Sequence, residues 1–333
     1  MQLPFVVREA DAPIDVVALG ENSLDFVGTI GGGDEGQAGK QILTRFRMQP
    51  GGQMATAALA CARLGVRTRY IGAFGSDDWS RLARAPLDAA GVEVVSIGRN
   101  TACRTAIILV APSGDRAVYE HRDTTLLIEP DEIADEAITS ARVLLVDATH
   151  PAAARHAAQV ARRAGVISIV DADRPSPDVD RLLQEIDVVV VPESFVRSMT
   201  GASVPAEGVA MLSVRYPRAS IVIATRGEAG SLAFCGGRLI ATPAFGVEVR
   251  DTTGAGDAFR AGLAAALVGR IHPVTVEGVL RFAGATAALN CRVVGAQAGV
   301  PSLEEVEALL VGGPPAGADI PAIPPGARSF EKP

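Results

Sequence analysis

Five short apolar runs constrain this chain more than any other feature: IDVVAL (14–19), RVLLVD (142–147), VISIVD (166–171), DVVVV (187–191) and SIVIAT (220–225). A strand with one wet face alternates apolar and polar residues. These runs carry almost no polar alternate, so each reads as a strand covered on both faces, and a series of them predicts a parallel sheet. Helical patterns stand between them. PAAARHAAQVARRA (151–164) opens on a proline that suits a first helical turn, and 181–185 lies in a shorter helix. At 333 residues the chain can bury one large α/β core, with or without an added lid.

Polar groups cluster where these strands end. Glu21, Asn22, Ser23 and Asp25 follow the first run, Asp171, Asp173 and Arg174 the third, and Glu193 the fourth. Open α/β sheets bind ligands at such ends, and the carboxylates suit a hydrated Mg²⁺; turns and surface caps are the plainer alternative. Pro50, Gly51 and Gly52 introduce an Ala-rich helix that stops at Gly65, either an ordinary entry turn or a place where backbone amides meet a hydroxylated ligand. RYIGAF (69–74) reads as a strand and 79–90 as a helix. From 92 to 120 the texture is strand, turn, strand, with a hairpin turn at 112–115. This is a small lid sheet carrying Arg104 and Thr105 toward a site, or an edge extension. Residues 31–40 contain a formal GxGxxG, but no apolar-periodic helix follows, and the P-loop pattern fails at Asp34 and Gln41; a flexible loop is expected.

The densest chemistry is DTTGAGDAF (251–259). Gly254, Ala255 and Gly256 leave backbone N–H groups open to close approach, and Phe259, Leu263, Ala266 and Leu267 mark the buried face of a helix starting there. A helix N-terminus attracts an anion. Asp257 is out of place in an anion site unless it takes a proton from an attacking hydroxyl while the amides hold a phosphoryl group; the alternative is a helix cap. A hairpin (231–242) precedes the motif, a long helix (275–290) follows it, and 302–310 opens with a capping box of Ser302 and Glu305.

Other classes recede. Net charge is −7 with no dense Lys/Arg block, which argues against nucleic-acid or anionic-membrane partners. Hydrophobic residues make up 48% of the chain, yet no uninterrupted apolar run would cross a bilayer. Four cysteines without CxxC spacing read as reduced core residues, and four histidines without an HExxH pair give zinc little support. The N-terminus lacks a signal-peptide pattern, so a cytoplasmic protein is expected.

The order GENSLD, PGG before an Ala-rich helix, a β insertion, alternating β/α units, TRGEAG and DTTGAGDAF resembles the ribokinase-like (phosphofructokinase B type) carbohydrate kinases over residues 14–310. The resemblance implies a doubly wound α/β sandwich with a small β-sheet lid, and an ATP-dependent transfer of phosphate to a sugar hydroxyl. The kinase domain would span 14–311, with lid strands mainly at about 92–122 and part of 24–50; the tail at 312–333, by its Pro/Gly-rich composition, is expected to be disordered or loosely packed. By resemblance Asp257 is the base and Gly254, Ala255 and Gly256 the anion hole. Asn22, Asp25, Gly51, Gly52, Gln53 and Arg104 meet the acceptor. Thr225, Arg226, Gly227, Ala287 and Asn290 lie on the nucleotide side. The family's asparagine after the glycine pair is replaced by Thr56, and its NxxE metal motif by Pro192-Glu193-Ser194-Phe195, leaving Glu193 to help Mg²⁺ through water. GENS with a late AGVP is similar to ketohexokinase-like and sulfofructose kinase-like members, a lean toward a ketose. A K⁺ site near Asp251 and a homodimer through the lid also follow from the resemblance. A nucleoside kinase and a non-catalytic sugar or nucleotide sensor are the alternatives.

Overall fold

The computed structural model describes residues 1–8, 12–31, 42–111, 116–270 and 274–312 of the chain. It begins with β1 (Val16–Leu19), rises into a lid as β2 (Ser23–Ile30) and β3 (Leu43–Gly51), and returns through α1 (Gln53–Arg63) to β4 (Thr68–Phe74). Helix α2 (Asp78–Ala89) leads to β5 (Glu93–Gly98). Strands β6 (Thr105–Val110) and β7 (Arg116–His121) go back to the lid, and α3 (Asp135–Thr139) follows. The chain then alternates through β8 (Val143–Asp147), α4 (Pro151–Ala164), β9 (Ile167–Asp171), α5 (Pro177–Leu183) and β10 (Val188–Pro192). Helices α6 (Glu193–Thr200) and α7 (Pro205–Arg215) precede β11 (Ile221–Thr225) and the hairpin of β12 (Ser231–Cys235) and β13 (Arg238–Thr242). The last helices are α8 (Ala255–Ala265), α9 (Val276–Asn290) and α10 (Leu303–Gly312).

The main sheet runs β13-β12-β11-β10-β9-β8-β1-β4-β5, parallel from β11 to β5, with the hairpin antiparallel at one edge. All five apolar runs are strands within it. Their two-residue repeat explains why none alternates: Val188 and Val190 of β10 face a core with α1, α8 and α9, while Val189 and Val191 face one with α4, α6 and α7. The architecture is α/β and doubly wound, with helices on both faces. From β1 the chain winds to β4 on one side and, later, to β8 on the other. The ends of β1 and β8 therefore flank a topological switch point, the usual binding crevice of open α/β sheets.

The lid is a separate sheet in the order β3-β2-β6-β7. Residues 93–98, expected in the lid, instead pair parallel with β4, from Arg69↔Glu93 to Phe74↔Gly98. Their mostly exposed pattern suits the outer strand of a sheet. Helices α6 and α7 were not anticipated. The hairpin turn at 112–115, the loop at 32–41 and the tail at 313–333 lie outside the described residues. Among the described residues no helix is long and apolar enough to cross a membrane.

Candidate active site

The first turn of α8 is built on a glycine that nothing else can replace cheaply. Gly254 has φ 76°, and a Cβ there would stand 2.5 Å from the Ala296 carbonyl oxygen. No side chain caps the helix. The Ala255 amide donates to Thr252 O at 3.2 Å, whereas the amides of Gly254, Gly256 and Asp257 have no backbone acceptor among the described residues. The preceding loop is braced by Asp251, whose Oδ1 accepts from the Thr253 amide at 2.9 Å and hydroxyl at 2.7 Å and whose Oδ2 accepts from the Gly295 amide at 2.9 Å. These three donors sit on a braced turn at a helix N-terminus, a suitable seat for an anion.

Asp257 lies at the floor of a cleft with about 1060 Å³ of free space, open to solvent, between the main sheet and the lid. Part of its surface meets the cleft and protein encloses the rest. Burial and then the charge of Asp171 push its carboxyl well above the ordinary carboxylate range, against the pull of Arg260. Among the described residues Asp257 makes no capping hydrogen bond at this helix N-terminus, so it is not a simple cap.

The lid supplies the opposite wall. Because β2 leaves the end of β1 as an extended strand, its alternate residues divide: Ser23 and Asp25 face the cleft, as does Glu21 just before the strand, and Leu24 and Phe26 pack toward α2. Asp25 thus reaches the cleft, its Oδ1 accepting from Ser23 Oγ at 2.8 Å. Asn22 does not. Its Nδ2 donates to Tyr70 Oη at 3.0 Å and to Ala73 O at 2.8 Å, and it borders a second cavity beside His150. Arg104 crosses the wall, pairing through Nε with Glu21 at 2.5 Å and through Nη2 with Glu120 at 2.8 Å. Burial raises Glu21 to about 8, with Arg104 opposing and Asp147 adding repulsion. Gly52 and Gln53 line the cleft. Gly51 answers to packing, since a Cβ there would strike Asp25 Oδ2 at 2.2 Å. Thr56 is buried near Gln297 Nε2, 3.5 Å away, and does not reach the cleft lining.

Of the residues expected on the nucleotide side, three stand at the end of β11 and two on α9. Thr225 ends β11, two strands beyond β9, and is followed by Arg226 and Gly227. Arg226 pairs with Glu193 Oε2 at 2.9 Å, and Arg197 with Glu193 Oε1 at 3.2 Å. With both oxygens engaged, Glu193 does not fit a direct metal ligand, and no trio of His, Cys, Asp or Glu suited to a metal occurs among the described residues. Asn290 is fully buried and donates to Thr253 O at 3.0 Å, so it supports the DTTGAGDAF loop from behind. Ala287 lies one turn earlier on α9, half-buried. Asp171, expected as a metal-side carboxylate or a surface cap, is 2% exposed and paired with Arg260. Sequence reasoning passed over Asp147, whose Oδ2 accepts from the Glu21 amide at 2.7 Å, although it ends its strand as Asp171 does. It also passed over Arg260, a charge in an otherwise small and apolar helix.

A family model described as "pfkB family carbohydrate kinase" matches residues 14–303. The chain is 30% identical to "Probable fructokinase-3" of Arabidopsis thaliana, covering 88% of this chain and 90% of that protein. Among solved structures, Arabidopsis thaliana ribokinase complexed with ribose and ATP superposes with a TM-score of 0.74 at 25% identity, over 89% of this chain and 98% of that one. Thermotoga maritima ribokinase gives 0.76 at 23% identity, over 90% and 99%. A family model that runs from the first buried strand into the last helix, on a fold shared with sugar kinases, places the chain in the pfkB family of carbohydrate kinases.

Proposed function

We propose that the protein transfers the γ-phosphoryl of ATP to a primary hydroxyl of a ketose, fructose being the first substrate to try, with Asp257 as general base. The carrying observation is the pairing, on one turn of α8, of an enclosed carboxylate of raised proton affinity with backbone amides that have no internal acceptor. Asp257 takes the proton from the acceptor O–H, the oxygen attacks the γ-phosphorus in line as the bond to the β–γ bridging oxygen breaks and ADP leaves with its electron pair, and the amides of Gly254, Gly256 and Asp257 hold the charge of the transferred group. Ala255 holds the turn's shape through Thr252. Asp25, Ser23, Gly52, Gln53 and Arg104 position the sugar, with Asn22 and Gly51 supporting that wall from behind. Thr225, Arg226, Gly227 and Ala287 serve the nucleotide side, and Asn290 acts there only by supporting the DTTGAGDAF loop from behind. Magnesium arriving with ATP neutralises phosphate charge; Glu193, tied to two arginines, would meet it only through water, and no step is assigned to it.

The name of the Arabidopsis relative and the ketose-like sequence features support a fructose-type acceptor. No aromatic side chain lines the cleft among the described residues, which favours a free sugar over a nucleoside needing a stacking surface. The cytoplasmic setting expected from the N-terminal sequence and the cysteine spacing belongs to the same reading. A K⁺ site beside Asp251 is tested by the potassium dependence of turnover. The main experiment is an ATP-consumption screen over ketoses, aldoses, sulfo-sugars and nucleosides, with Asp257→Asn as control. The variant should keep its fold and ATP binding and lose at least about a hundredfold in kcat. Near-normal turnover would sink the base assignment, and a nucleoside as best acceptor would sink the ketose.

A further inference from the structure

A guanidinium buried in a helix of small residues is costly unless its position serves something. Arg260 is 4% exposed, one turn beyond Asp257, with Ala258, Ala261 and Ala264 buried around it. Its Nη2 pairs with Asp171 Oδ1 at 2.6 Å and donates to Val190 O at 3.2 Å. Its Nη1 lies under the anion-binding turn, where a Cβ on Gly256 would come within 2.7 Å. The other oxygen of Asp171, Oδ2, is buried without a hydrogen-bond partner in the described structure, and the Asp171 charge acts directly on the carboxyl of Asp257, one turn before Arg260 on α8. A buried ion pair is weak evidence for stability, because desolvation offsets the attraction. Its placement against the base is what calls for an explanation.

We infer that Arg260 and Asp171 form a positioning pair for the base: Arg260 fixes Asp171, and Asp171 receives the hydrogen bond of Asp257 once Asp257 has taken the acceptor's proton. The inference rests on Asp257 being the base. The balance is simple. The proton leaves the acceptor hydroxyl, its electron pair stays on the attacking oxygen, and the proton resides on Asp257 in a carboxyl–carboxylate hydrogen bond to Asp171. Neither Arg260 nor Asp171 touches the substrate.

Other charges face the same carboxyl. Asp147 from the end of β8 and Glu21 after β1 add repulsion, and Asp25, Arg104 and Glu120 line the lid side of the cleft, with Asp173 and Arg174 after β9. Against that shared background the two members of the pair act in opposite senses on Asp257: the Asp171 charge makes it hold its proton, and the Arg260 charge makes it release it.

The test is the acid limb of kcat/KM, at saturating ATP, in Asp171→Asn, Arg260→Met and Arg260→Lys. Asp171→Asn should move the limb to lower pH and Arg260→Met to higher pH, while Arg260→Lys stays near the parent enzyme. On the acid side, activities normalised to each plateau should differ between the first two variants by at least about tenfold. Limbs that do not separate, or that shift the same way while the plateau falls, make the pair structural and overturn the inference. Should Arg260→Met fail to fold, the direction of the Asp171→Asn limb decides alone. An active Asp257→Asn would remove the base reading itself, whereas an inactive Asp257→Asn with unmoved limbs removes only the positioning role.

Discussion

A general base works best when its pKa lies near the working pH, and the environment of Asp257, the proposed base, moves it in that direction. Burial first, then the neighbouring Asp171, raise its proton affinity. The active form is the deprotonated one, so activity is present above the folded-state pKa and lost as the pH falls through it. The unbound enzyme's kcat/KM should therefore decline on the acid side well above the ordinary aspartate value of 3.8, and a profile flat down to that pH would contradict the environment described. Glu21 gives a stability counterpart. Its folded-state pKa of about 8 exceeds its ordinary value of 4.5, so the native state binds the extra proton in that window. Stability from this group is complete below the window and lost as the pH rises through it, a slope that Glu21→Gln should abolish in denaturant titrations at several pH values. At this scale the sequence was partly legible. DTTGAGDAF drew attention to Asp257 because a carboxylate and glycines are adjacent there. Asn22 and Ser23 differ by one position, and only the direction in which β2 leaves β1 tells which faces the cleft. Arg260 announces itself as a charge in an apolar stripe, but its partner Asp171 is 89 residues away in sequence.

Elements were read most faithfully where the two-residue or helical repeat was unbroken. The five apolar runs became strands because each is covered by helices on both faces. Residues 93–98 went to the main sheet rather than the lid because strand neighbours are chosen by crossover geometry, which short-range pattern does not carry. Helices α6 and α7 hide behind short, mixed stretches, though Gly201 at φ 68° ends the first and Pro205 opens the second. Two predictions belong here. Gly254→Ala forces both a left-handed residue and a clash with Ala296 O, so it should lower stability by about 1–3 kcal/mol and reduce turnover, read by thermal melts and kinetics. Arg104→Ala, on the lid side, should raise the sugar KM at least about tenfold and leave the ATP KM nearly unchanged. Equal effects on both would remove Arg104 from the acceptor wall.

At the scale of the molecule the lid sheet leaves an apolar face exposed. Its cleft face carries Asp25, Ala106, Ile108 and Glu120, and its opposite face is apolar. The pairings Met48↔Phe26, Phe26↔Ile107 and Ile107↔Tyr119 set one row across all four strands, with Phe46 beside it opposite Gly28. Helix α2 covers the base of this face, Trp79 meeting Phe26 at 5.1 Å. Above it Phe46 is 59%, Met48 47%, Ile107 50% and Tyr119 62% exposed. A contiguous apolar face on a sheet with two outer strands invites a partner, and a second copy offers the same row by two-fold symmetry. We therefore expect a homodimer through the lids in solution. Phe46→Asp combined with Ile107→Asp should give a monomer by light scattering. Both side chains point away from the cleft, so ATP binding should persist, while a less restrained lid should weaken the sugar KM. A parent protein that is monomeric at micromolar concentration would defeat this arrangement and leave the apolar row to be covered in some other way.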